Sequence, residues 1–96
     1  MTVYVDDPMM FIRGRFRGYC HMWTDGTHDE LDAFAVSIGL KKEWAQEKRG
    51  AIVKDFYHYD ISPFYRERAL LKGAHYMALG DYVRSHMGPP LVVLKR

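Results

Sequence analysis

The chain has a single cysteine, Cys20, in 96 residues. One thiol excludes an intramolecular disulfide and any cysteine-based zinc site, so the expected setting is reducing and cytoplasmic. Long apolar runs are lacking too, and no basic head leads into a greasy segment near the N-terminus. Neither a membrane span nor a signal peptide is expected. Charge of one sign is scarcely in excess: fourteen basic residues against twelve acidic ones leave +2. That is too little for the basic stripe that generic binding of duplex DNA requires, so any anion site must be local. There is no internal repeat, and Pro89-Pro90 is the one linker-like feature.

What is present suits a folded domain. An apolar fraction of 48% with 15% aromatics supplies a core and is far from a disordered composition. The length allows one domain, residues 1–96, without crosslinks.

Along the chain, Thr2 to Val5 is β-rich and stopped by Asp6-Asp7-Pro8, which predicts a first strand with two acids at its end. In MMFIRGRFRG, Arg13, Arg15 and Arg17 alternate and would share one face of an extended chain. Tyr19 to Trp23 reads as a second strand, closed by Thr24-Asp25-Gly26. Thr27 and Glu30 have capping-box spacing. Leu31, Phe34, Ala35 and Ile38 follow at helical intervals, and Gly39 stands where a helix ends; a helix is predicted here. KKEWAQEKRG reads as a short second helix, and AIVKDFYHYDI as extended in part. Ser62 and Pro63 open a further helix as N-cap and first residue, running to Gly73. Ala74 to Met77 is a short strand candidate, Asp81 to Met87 a short helix, and LVVL a last strand or tail. The expected architecture is a small α/β layer fold with three to five mostly parallel strands and two or three helices; the strand, helix, strand succession from Phe56 to Met77 favours a parallel crossover.

Polar residues concentrate in FYHYDISPFYRERA, residues 56–69. His58 and Asp60 are two apart, so in a strand they project together while Tyr57 and Tyr59 face the other way. An imidazole and a carboxylate so placed suit a divalent metal or a base oriented by its acid; a structural histidine is the bland alternative. On the following helix, about 100° per residue draws Arg66 toward the packed side and leaves Arg68 and Lys72 outside. Arg66 then needs an anion or an internal partner, for which Asp60 is the candidate. Asp32 falls at the border of the first helix's apolar stripe, where a rim carboxylate is expected. His21 points opposite to Cys20 and Met22; a satisfied core or rim histidine is the bland reading, and a cluster with Asp6, Asp7 and Asp25 near strand ends the functional one, while Cys20 reads as packing. Aromatic side chains at a pocket mouth would stack on a base.

Tyr4-Val5-Asp6-Asp7, Gly14-Arg15, Cys20-His21-Met22, Asp25, Glu30-Leu31, Ala35, Ile38-Gly39, Trp44, Gln46, His58-Tyr59-Asp60-Ile61, Arg66, Ala69 and Gly73-Ala74 occur in this order. In this the chain resembles an uncharacterised domain family of bacterial and phage genomes with the pattern YVDD, CHM, ELHxxAxxIG, HYDI, KRxxA and GA. The likeness covers a core of about residues 1–78, leaving a C-terminal helix and tail at 79–96. Three positions depart from it: Asp32 stands where the family has histidine, Thr24 where it has alanine, and Tyr65 where it has lysine. The resemblance singles out Asp7, Arg15, His21, Asp25, His58, Asp60 and Arg66, and implies no established activity.

Three functions follow as expectations. The first is binding, without turnover or cofactor, of a phosphorylated small molecule, most naturally a nucleotide, by Arg15, His21, His58, Tyr59, Asp60, Ser62 and Arg66; were the gene phage-borne, sequestration of a host nucleotide signal would be its specific form. The second is a phosphodiesterase or nuclease dependent on Mg²⁺ or Mn²⁺ held by Asp6 or Asp7, with Asp25, His58 and Asp60. The third is a homo-oligomeric interaction domain joined through the LVVL edge. Electrostatics separates the first two: carboxylates repel phosphate unless a cation intervenes, whereas an arginine-lined cleft attracts it unaided.

Overall fold

A computed structural model describes residues 1–48 and 56–86. Strands β1 (Val3–Val5), β2 (Cys20–Thr24), β3 (Gln46–Lys48), β4 (Phe56–Ile61) and β5 (His75–Tyr76) are joined by helices α1 (His28–Ser37), α2 (Pro63–Leu71) and α3 (Leu79–His86). They form one five-stranded sheet in the order β3-β4-β2-β1-β5.

The α/β class holds, but the strands are mostly antiparallel rather than mostly parallel. β2 lies antiparallel to both of its neighbours and β3 is antiparallel to β4; among the described residues only β1 with β5 pairs in parallel. β4 and β1 thus run the same way, and β5 follows β1. The β4-α2-β5 succession is a crossover between parallel strands, with β2 and β1 inserted between its ends. Local succession reveals the crossover; which strands fill the gap depends on distant pairing.

Alternation assigns the faces. Val3, Val5, Cys20, Met22, Tyr59 and Ile61 pack against Leu31 and Ala35 of α1, Ile38 at its C-cap and Ala69 of α2. The opposite face carries Tyr4, Trp23 and Phe56, covered by Tyr82 of α3. Tyr4 is opposite Trp23 in register, and their rings stack at 5.8 Å. Both faces are covered over the middle of the sheet, so buried polar groups there need partners within the protein.

The helix starts follow their local signals. Thr27 and Glu30 form the complete capping box of α1, and Gly39 beyond its end takes φ 103°. Ser62 caps α2 with Pro63 in its first turn. Two segments depart from expectation. The second helix expected in KKEWAQEKRG is only a 3₁₀ turn at Lys42–Trp44 followed by β3. Gln46 pairs with His58 and Glu47 with Tyr57, so ladder hydrogen bonds prevail over weak helical propensity. The three arginines do not share an extended face: Gly14 and Gly18 adopt φ 82° and 84°, and Gly14–Phe16 forms a 3₁₀ turn. The LVVL segment lies outside the described residues. No helix among the described residues is long and apolar enough to cross a membrane.

Candidate metal centre and adjoining hollow

Antiparallel pairing of β2 with β4 sets His21 opposite Asp60. His58 is two residues before Asp60 on the same face, and one ligand atom from each of His21, His58 and Asp60 lies within 4.8 Å of the others. The His58 Nε2 is 3.3 Å from Asp60 Oδ1, and the His21 Nε2 is 3.9 Å from the same oxygen.

Each group has a second partner that fixes its direction. Asp6 Oδ1 accepts the His21 backbone N–H at 2.6 Å, and Asp6 Oδ2 lies 2.8 Å from His21 Nδ1. His58 Nδ1 is 3.2 Å from the Phe56 carbonyl oxygen. The Gln46 amide donates to Asp60 Oδ2 at 2.8 Å. His58 is 1% exposed, with Phe56 stacked on its ring at 4.5 Å and the edge of His21 at 5.3 Å. Without an ion, a hydrogen bond from His58, together with the charges of the His58 and His21 rings when they are protonated and the Gln46 amide, holds the Asp60 carboxyl below the usual carboxylate range against the opposing effect of burial.

Beside Asp60, a hollow of about 640 Å³ opens past the end of β4, within the range of small-molecule sites. Arg15, Glu43, Gln46, Asp60 and Ser62 provide its polar lining; Phe16, Tyr19, Trp44 and Tyr65 provide rings. The Arg15 guanidinium lies 4.9 Å from the Phe16 ring centre.

The remaining predicted residues are distributed elsewhere. Arg66 approaches from α2, its Nε donating to the Asp6 carbonyl at 3.0 Å, and it is absent from the lining of the hollow. Its partner is therefore the end of β1 rather than Asp60. Tyr59 is fully buried on the α1 face and donates to Asp32 Oδ1 at 2.6 Å; Tyr57 donates to the same oxygen at 2.7 Å. Asp32 is thus no rim carboxylate. It is 6% exposed, and the two phenols offset the cost of burying it. Exposed Asp7 accepts from Tyr76, and exposed Asp25 accepts from the Thr2 backbone N–H and the Tyr4 hydroxyl; neither belongs to the His21, His58 and Asp60 group.

Gln46 enters the site without having been singled out for it, while Asp6, expected as an alternative to Asp7 among the metal ligands, enters as the partner of His21. Asp6 is two residues beyond Tyr4, which signals a shared face, but only the register of β1 on β2 brings it to His21. Gln46 gains significance only through its pairing with His58.

No curated protein and no solved structure matches this chain. A family model described as "protein of unknown function (DUF4031)" matches residues 3–87, and the chain belongs to that family.

Proposed function

We propose that the protein binds a divalent metal ion through His21, His58 and Asp60 and hydrolyses a phosphoester seated in the adjoining hollow. The convergence of two imidazoles and a carboxylate within 4.8 Å carries this reading. Two ligands about 2.1 Å from a tetrahedral ion stand roughly 3.4 Å apart, close to the 3.3 Å between His58 and Asp60.

The charge balance of the hollow favours this reading over unaided phosphate binding. Arg15 shares the lining with two carboxylates, Glu43 and Asp60, while Arg66 is engaged with Asp6. A phosphate beside Asp60 needs a further positive charge, which the ion supplies. Arg15 and the Ser62 hydroxyl, both in the lining, would hold phosphoryl oxygens, and the rings of Trp44, Phe16 and Tyr19 would offer flat apolar surface to a base. A nucleotide satisfies both ends. An ion held by His21, His58 and Asp60 would supply a lowered pKa to a bound water and charge stabilisation to the phosphoryl group. The water oxygen forms the new P–O bond as the ester P–O bond breaks; one water proton ends on the leaving alkoxide and the other stays with the product phosphate or passes to solvent.

Hydrolysis of bis-p-nitrophenyl phosphate and of cyclic and linear nucleotides, assayed with Zn²⁺, Mn²⁺ or Mg²⁺, tests the proposal. Expected are turnover with metal, its loss with chelator and its loss in His58→Ala. Metal-independent turnover, or metal binding without turnover of any of these substrates, would overturn it.

A further inference from the structure

The centre is biased toward one class of ion before any ion arrives. Resting on the metal-binding part of the reading above, we infer that it selects a transition-series divalent ion such as Zn²⁺, Co²⁺ or Mn²⁺ over Mg²⁺, with Asp6 as the positioning residue that sets the His21 arm.

Donor chemistry supports the first half. Mg²⁺ prefers oxygen ligands in a tight octahedron and keeps several waters, whereas imidazole suits the later, softer ions. Two of the three donors here are imidazole nitrogens, both Nε2. The His58 ring is buried between Phe56 and His21, so water has little access to replace it.

The outer partners support the second half. With its Nδ1–H donated to Asp6 Oδ2, His21 is held in the tautomer whose Nε2 carries the lone pair, on the side of Asp60. His58 is set the same way by the Phe56 carbonyl, and Asp60 keeps Oδ1 toward both rings because Gln46 engages Oδ2. A partner of this kind on each ligand is characteristic of metal sites, where it fixes ring orientation and raises ligand basicity. Asp6 is also fixed: its carboxylate accepts the His21 backbone N–H, its own N–H donates to the His21 carbonyl at 3.2 Å, and its carbonyl accepts from Arg66. The carboxylate cannot turn away from the ring without giving up its bond to the His21 backbone N–H.

The test measures ion affinity without substrate, by calorimetry and chelator competition on the purified chain. Zn²⁺ is expected to bind at least about 100-fold more tightly than Mg²⁺, and Co²⁺ to give a visible ligand-field band that His58→Ala removes. Asp6→Asn, which keeps the size but loses the charge, is expected to weaken Zn²⁺ about 10- to 100-fold and shift the Co²⁺ band, with Asp6→Glu restoring part of both. Comparable Mg²⁺ and Zn²⁺ affinities would overturn the ion class, and unchanged Zn²⁺ affinity in folded Asp6→Asn would overturn the role of Asp6. Should Asp6→Asn fail to fold, Asp6→Glu decides: its longer side chain is expected to move the Co²⁺ band, and a band identical to wild type counts against the role. Tight Zn²⁺ binding without phosphoester turnover would sink the proposed hydrolysis and leave this inference standing.

Discussion

Asp6 holds His21 by two hydrogen-bonding arms at once, one to the backbone N–H at 2.6 Å and one to ring Nδ1 at 2.8 Å. The pair closes the end of the β1–β2 ladder and aims an imidazole at Asp60. Removing the carboxylate therefore affects folding as well as the site. Asp6→Ala leaves the strand-end N–H and the ring without their acceptor and is expected to destabilise the fold by about 1–3 kcal/mol, measured by urea denaturation. A loss below a few tenths would mean that water replaces the carboxylate without cost.

Asp32 links α1 to β4 by accepting two phenols on a single oxygen. Asp32→Leu is expected to lower stability by about 2–4 kcal/mol, because unsatisfied buried hydroxyls cost about 1–3 kcal/mol each. Asp32→Asn retains an acceptor oxygen and is expected to lose less than half as much. Equal losses in the two variants would show that the negative charge, rather than the acceptor, matters.

The same pair makes the fold sensitive to alkali. Burial, reinforced by the bond to Asp32, raises the Tyr57 hydroxyl to about 12 and moves that of Tyr59 further in the same direction. Phenols ordinarily titrate near 10. A raised folded-state pKa favours the neutral form, so this contribution to stability is complete below pH 10 and is lost as pH rises toward 12. Urea midpoints should be level from pH 8 to 9.5 and fall above 10, with a smaller fall in the double variant Tyr57→Phe, Tyr59→Phe. An identical fall in that variant would remove these tyrosines as the cause.

Cys20 is fully buried on the helix-covered face, and burial, helped by the nearby Asp6 charge and opposed by Arg66, pushes its thiol up to about 12. The thiolate is the reactive form, so native protein at pH 8 should resist a disulfide reagent over hours. In denaturant one thiol should react within minutes. Fast labelling of native protein would show that β2 opens readily.

Arg66 joins α2 to the last carbonyl before the β1–β2 connection. Arg66→Ala is expected to cost about 1–3 kcal/mol from the lost charge-assisted bond, with a smaller loss of Zn²⁺ affinity than Asp6→Asn causes. If nucleotide binding vanished while stability stayed unchanged, Arg66 would instead be a ligand contact.

Much of the site was legible without coordinates, for reasons particular to each residue. His58 and Asp60 share a face because a strand repeats every two residues, whatever lies beside it. His21 points away from Cys20 and Met22 by the same rule, and the observed burial follows it. Asp7 and Asp25 resembled ligands because they end strands in the chain; in space they bind Tyr76, Thr2 and Tyr4. Arg66 turns inward as helix geometry requires, yet what it meets is a backbone carbonyl, which no side-chain pattern advertises.

The division follows from the range of the forces. Caps, turns and side-chain alternation arise from contacts a few residues apart, so Thr27, Ser62, Gly39 and the H-x-D pair could be placed from the chain alone. Strand order and register depend on residues tens of positions apart, through burial and hydrogen bonds that act only after collapse. They set β2 between β1 and β4, making the sheet mostly antiparallel. The same pairing brought Asp6, His21 and Asp60 into one line and directed Asp32 inward to Tyr57 and Tyr59.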